Sequence, residues 1–152
     1  MWNKRRLLKN SNPEGTAIVY QTTEEHFKMF QRECARWLKK FGLVGWECNY
    51  DHNDSEPEAR ATCEYNTSAR LCVLTLSLTW DIPPTEDNIW RMAFHEVEEL
   101  FLGRLVELAE NRYSVTEVDI EEATHSIIRT LETIIFRPTL KRRKRVKEVS
   151  ND

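Results

Sequence analysis

Residues 59–80 read Ala59-Arg60-Ala61-Thr62-Cys63-Glu64-Tyr65, then Asn66-Thr67-Ser68-Ala69, then Arg70-Leu71-Cys72-Val73-Leu74-Thr75-Leu76-Ser77-Leu78-Thr79-Trp80. In the first arm Ala59, Ala61, Cys63 and Tyr65 alternate with polar residues, and in the second Cys72, Leu74, Leu76, Leu78 and Trp80 share one face. A period of two belongs to a strand, because successive side chains of an extended chain point to opposite faces. The turn-forming residues 66–69 make the two arms a hairpin. The opposite face of the second arm, Leu71, Val73, Thr75, Ser77 and Thr79, is also largely free of charge, so this strand is expected near the centre of its sheet, covered on both sides.

Upstream, Val44, Trp46, Cys48 and Tyr50 alternate in the same way, giving an earlier strand that ends in the polar loop Asp51–Glu58. Before it, Thr22-Thr23-Glu24-Glu25 offers an N-cap with a Glu three residues after Thr22. Phe27, Phe30, Cys34, Trp37, Leu38 and Phe41 follow at helical spacing until Gly42, so a helix is expected over 23–41. Downstream, Ile82-Pro83-Pro84 breaks the chain, Thr85 caps, and Glu86 and Asp87 suit the positive end of a long buried helix over 85–110. Ser114–Glu117 or Thr116–Asp119 can cap a third helix, whose stripe of Ile120, Ile127, Ile128, Leu131, Ile134 and Ile135 runs up to Pro138. The predicted fold is α+β: a small, mostly antiparallel three-stranded sheet (Trp46–Tyr50, Ala59–Tyr65, Arg70–Trp80) packed on three helices.

The chain has 152 residues, 40% hydrophobic and 31% charged, with four Gly and five Pro, a composition that specifies one folded domain. No apolar run approaches the ~18 residues of a membrane span, and no apolar stretch follows the basic start as in a secretory signal, so a cytoplasmic protein is expected. Its net charge of −3 hides an uneven distribution. Between residues 10 and 136 there are 23 acids and eleven Lys or Arg, about −12, whereas the two ends together carry about +9. The domain is therefore expected over 15–136, between a basic N-terminal tail, 1–14, and a basic C-terminal tail, 137–152. The run Lys141-Arg142-Arg143-Lys144-Arg145 suits weak, sequence-independent contact with nucleic acid phosphates, or with the acidic body of the same or another copy; a solvated tail is the alternative. Cys34, Cys48, Cys63 and Cys72 form no Cys-x-x-Cys pair and read as small core residues. No Gly-rich phosphate loop, dinucleotide fingerprint or Gly-x-Ser-x-Gly occurs, which argues against nucleotide enzymes and serine hydrolases.

The candidate chemistry lies on the long helix, in Ala93-Phe94-His95-Glu96-Val97-Glu98-Glu99. His95 and Glu99 are four apart, so they project from one helix face a turn from each other, as two ligands of one metal would, with Glu96 beside them. On the third helix His125, with Glu121 and Glu122 close in sequence, can supply a further ligand if the two helices pack as a hairpin. An extra carboxylate from Glu121 or Glu122 would favour Mn²⁺ or Fe²⁺ over Zn²⁺. A Glu-x-x-His pair also occurs in di-iron carboxylate sites, but those need four helices and two such motifs. A solvated acidic face, with His95 packed against an aromatic ring, is the non-functional alternative.

His95-Glu96-x-x-Glu99 resembles the His-Glu-x-x-His motif of the zincin metallopeptidases, with Glu99 in place of the second His. The order of helix, strand and hairpin before that helix, over about residues 23–109, is similar to minimal-zincin and SprT-like domains and to short metallopeptidase-like phage proteins. The resemblance implies a minimal-zincin fold and a zinc-dependent hydrolase of peptide or protein substrates, with His95 as a ligand and Glu96 as the general base. The departure at Glu99 leaves a second possibility: an inactive scaffold acting as a protein-interaction or nucleic-acid-associated accessory protein.

Overall fold

The structure, a computed structural model, describes residues 18–54, 59–136 and 138. The elements run β1 (Tyr20–Gln21), α1 (Glu24–Lys40), β2 (Glu47–His52), β3 (Ala61–Asn66), β4 (Leu71–Leu76), β5 (Thr79–Trp80), α2 (Glu86–Glu110) and α3 (Glu117–Leu131), the last continued by a π-helical segment, Glu132–Phe136. The α+β class, all three helices and the β3–β4 hairpin follow the sequence pattern. Each helix begins at a threonine: Thr23, Thr85 and Thr116 each accept a hydrogen bond from a backbone N–H of the first turn. At the start of α1 the cap is Thr23 rather than Thr22, and the reciprocal partner is His26, whose Nδ1 accepts from the Thr23 N–H at 3.1 Å. Of the two candidate caps for α3, Thr116 with Asp119 is the one used. At the far end of α1, Gly42 takes φ +73°, and the Leu43 N–H reaches back to the Leu38 carbonyl at 2.9 Å. Such a left-handed residue closes a helix best when it is glycine.

The sheet departs from expectation in two ways. Its order is β2-β4-β3, and β2 runs parallel to β4 while β3 runs antiparallel to it, so the sheet is mixed. The expected single strand 70–80 is also divided. β4 stops at Leu76, the chain turns through Ser77 and Leu78, and β5 pairs with β1 in a second, two-stranded sheet, Tyr20 against Trp80. The division has side-chain support. Buried Thr22 donates from Oγ1 to the Ser77 carbonyl at 2.7 Å and lies 2.8 Å from Nε2 of His52, so the segment before α1 occupies the line along which β4 would otherwise extend.

β4 is the central strand, as its apolar character predicts. Across the core face, Cys72 lies between Cys48 and Tyr65, Leu74 between Tyr50 and Cys63, and Leu76 between His52 and Ala61. Its outer face is less covered than expected, grading from exposed Leu71 to buried Thr75. The core joins Cys72, Leu74, Leu76 and Trp80 to Phe30 and Cys34 of α1 and Ile89, Ala93, Val97 and Leu100 of α2. α3 packs less deeply than its stripe predicts: only Ala123 is buried, while Ile120, Ile128, Leu131 and Ile135 are exposed.

Where α2 crosses the hairpin, a Cβ on Gly103 would lie 2.8 Å from a ring carbon of Tyr65. Replacing a mid-helix glycine with alanine ordinarily gains ~1 kcal/mol. Here the methyl group must displace the tyrosine ring, an overpacking that costs about 1–3 kcal/mol. Gly103→Ala should therefore leave stability unchanged or lower in chemical denaturation, and the same change made in a Tyr65→Ser background should stabilise. A stabilising Gly103→Ala in the parent chain would show that the ring moves aside at no cost.

Candidate functional site

α2 presents two different faces around the motif. Ile89, Ala93, Glu96, Val97 and Leu100 point into the core, whereas His95 and Glu99 face solvent with side chains 58% and 51% exposed. The i,i+4 spacing does bring that pair together: His95 Nε2 lies 3.3 Å from Glu99 Oε1. Glu96 is 3% exposed, and its charge is felt by two core thiols, Cys34 of α1 and Cys63 of β3. Burial, and after it the Glu96 carboxylate, pushes both thiols well above the ordinary cysteine value.

On α3, His125 and Glu121 are more than half exposed, with Nδ1 and Oε1 3.9 Å apart, and Glu122 is exposed as well. Among the described residues no group of three or more His, Cys, Asp or Glu side chains is arranged to hold a metal ion. His95 and Glu99 thus offer two of the donor types that zinc accepts, an imidazole nitrogen and a carboxylate oxygen. A catalytic zinc site needs three protein ligands, so the fit is incomplete. Lys141–Arg145, and both expected tails, lie outside the described residues apart from Pro138.

Two groups escape a sequence reading. His52, expected in the polar loop Asp51–Glu58, instead ends β2, stacks on Phe27 with ring centroids 4.9 Å apart and meets Thr22. Of the four cysteines, Cys34 and Cys72 are core residues, Cys48 and Cys63 pack half-buried against the core, and none is in a disulfide; they gather on one side of the sheet. Cys48 and Cys72 are direct neighbours across β2 and β4, and the Cys72 thiol donates to Cys48 Sγ at 2.7 Å. Their alternation with polar residues was the available signal; their mutual proximity depends on strand register. Cys34 donates to the Ala93 carbonyl at 3.8 Å across the α1–α2 contact.

A cleft of about 290 Å³ lies elsewhere, between the end of α1 and α3, where it is lined by Lys40, Phe41, Gly42, Ser126, Arg129, Thr130 and Thr133. It contains none of the motif residues. Among the described residues no helix is long and apolar enough to cross a membrane. Comparison with protein-family models, with curated proteins and with solved structures finds no match for the chain.

Proposed function

We propose that this chain is a non-catalytic interaction protein on a zincin-type order of helix, strands and helix, with basic ends that engage phosphate polymers. The observation that carries this reading is the burial of Glu96. A general base must touch the water it activates, whereas Glu96 is 3% exposed on the core side of α2 and His95 and Glu99 stand in solvent. The carboxylate at the motif's second position thus belongs to the interior beside Cys34 and Cys63. His95 and Glu99, four apart on the solvent side, remain as an exposed polar pair.

A second reading, the metal-dependent peptide hydrolase, draws support from one observation, the 3.3 Å approach of His95 to Glu99. On that reading these two residues and His125 would hold zinc, with Glu121 or Glu122 as substitutes for His125, and the metal would supply Lewis acidity and an activated water. Metal content and activity separate the two. Protein purified without added metal should carry substoichiometric zinc, and adding one equivalent should produce no hydrolysis of an unfolded protein substrate above blank. Zinc retained one to one, lost in His95→Ala, together with hydrolysis abolished by Glu96→Gln at unchanged melting temperature, would replace the interaction reading with the hydrolase.

The basic C-terminus gives the interaction reading a measurable consequence. Full-length protein should bind an unrelated DNA duplex weakly, and deletion of 139–152 should abolish binding. Each neutralised phosphate contributes about −0.9 to the slope of log K against log salt, so four to six engaged Lys or Arg give roughly −4 to −5. Between ~50 and ~200 mM salt affinity should then fall on the order of 10²- to 10³-fold. Equal binding by both proteins, or none by the full-length chain at ~50 mM salt, would return the tail to a solvated role.

A further inference from the structure

Two of the four cysteine sulfurs are in direct contact. Cys48 of β2 and Cys72 of β4 are neighbours in the parallel pairing, 24 positions apart in sequence, and the Cys72 thiol donates to Cys48 Sγ at 2.7 Å. Paired strands lie about 4.8 Å apart, inside the Cα separation of about 4.4–6.8 Å that a disulfide spans. An S–S bond is about 2.05 Å long, so closing one here moves the sulfurs by less than an ångström. The other two thiols are placed differently. Cys63 of β3 stands two residues from Tyr65, the partner of Cys72, a diagonal of about 7–8 Å that a disulfide does not bridge. Cys34 of α1 is turned to the Ala93 carbonyl. Among the described residues no other two sulfurs are in hydrogen-bond contact.

The two sulfurs differ in ways that give them different roles. Cys48 is half-buried on β2, an edge strand, whereas Cys72 is 2% exposed on the central strand. A small oxidant therefore meets Cys48 first. Cys72 holds its proton and points it at Cys48, so the Cys48 sulfur is the hydrogen-bond acceptor of the pair and the better placed to attack. We propose that Cys48 and Cys72 form an oxidative modification site, at which hydrogen peroxide closes a disulfide that clamps β2 to β4. The Cys48 sulfur attacks one peroxide oxygen: an S–O bond forms, the O–O bond breaks, and the departing hydroxide takes the Cys48 proton as water, leaving a sulfenic acid. The Cys72 sulfur then attacks that of Cys48: the S–S bond forms, the S–O bond breaks, and the hydroxyl leaves with the Cys72 proton as a second water. The two thiols together lose two electrons, and one peroxide is reduced to two waters. This chemistry needs no metal at His95 and Glu99.

Peptide mapping of the full chain tests it, because trypsin releases each cysteine on its own peptide: Cys34 on 33–36, Cys48 on 41–60, Cys63 on 61–70 and Cys72 on 71–91. After a small excess of hydrogen peroxide and an acid quench, mass spectrometry without reductant should show 41–60 joined to 71–91 as the main product. Cys34 and Cys63 should remain open to alkylation once the chain is unfolded, and dithiothreitol should restore all four thiols. Cys48→Ser should give no crosslink, whereas Cys63→Ser should crosslink as the parent does. The oxidised chain should melt higher by on the order of 5–10 °C, because the bond removes loop freedom from the unfolded state. Four outcomes would each overturn the proposal: a main product containing 61–70, a sulfenic or sulfinic acid at Cys48 without a crosslink, a native chain left fully reduced under conditions that crosslink the urea-unfolded chain, or a melting temperature unchanged or lowered by oxidation.

Discussion

Raising the pH from 8 to 10.5 should destabilise this protein steeply, with most of the loss above pH 9. Cys34, Cys63 and Cys72 all have their thiols pushed far above the ordinary value of 9.0, in each case chiefly by burial. Cys34 and Cys63 next feel the Glu96 carboxylate, and Cys72 its hydrogen bond with Cys48. A group whose folded pKa is raised contributes its full stability below the unfolded pKa and loses it as pH climbs towards the folded one. Between those limits the unfolded chain releases the proton and the native chain keeps it. Each such thiol therefore removes roughly 1 kcal/mol per pH unit, and together they remove a few kcal/mol per unit from a total of the order of 5–15 kcal/mol. Tyr50 and Tyr65, also raised chiefly by burial, add to the decline above pH 10. Thermal melts at half-unit intervals would show the fall, and Cys34→Ala/Cys63→Ala should flatten it while lowering stability near neutrality. A melting temperature constant from pH 8.5 to 10.5 would show that these thiols ionise in the folded protein.

Trp80→Ala should cost about 3–5 kcal/mol, the usual range for emptying a buried aromatic site. Trp80 is 2% exposed and stands where the two sheets meet. Its backbone pairs with Tyr20, and its indole N–H donates to the Arg60 carbonyl at 2.9 Å. Arg60 in turn grips Asp81 with two hydrogen bonds, of 2.6 and 3.0 Å, which hold that carboxyl below its usual range. Loss of the indole thus removes apolar contact and one of the two hydrogen bonds to the Arg60 carbonyl, the other coming from the Ser77 N–H at 2.9 Å. Trp80→Phe retains most of the ring area but not the N–H, and the Arg60 carbonyl keeps its hydrogen bond from the Ser77 N–H, so it should cost about 1 kcal/mol, the usual net worth of one hydrogen bond. Urea unfolding of both variants gives the comparison. A Trp80→Phe loss near zero would mean that the hydrogen bond contributes nothing, equal losses in the two variants that the ring area contributes nothing, and a loss below ~1 kcal/mol for Trp80→Ala would place the indole outside the core.

Local rules written in adjacent residues determined the helices. A threonine followed by acids, apolar residues three and four apart, and Gly42 at the end of α1 act within a turn or two of chain, and the observed helix bounds fall within a residue or two of those expected. The strands were legible for the same reason, and so was the central place of β4, since Cys72, Leu74 and Leu76 on one face, with few polar residues on the other, suit no edge. The direction of β2 was not legible. Alternation fixes which face of a strand is buried but is the same for parallel and antiparallel neighbours, so only long-range pairing made the sheet mixed. The break at Ser77 and Leu78 was hidden too, because it depends on Thr22, over fifty residues away in sequence.

The motif residues show the same division. Helical periodicity alone put His95 and Glu99 on one face, and they meet at 3.3 Å. The burial of Glu96 beside Cys34 and Cys63 depends on how α2 rolls against α1 and the sheet. The exposed stripe of α3 has the same origin: its apolar spacing is written in the sequence, but how much of it faces the protomer is decided by the angle at which α3 meets α1 and α2, which no local pattern encodes.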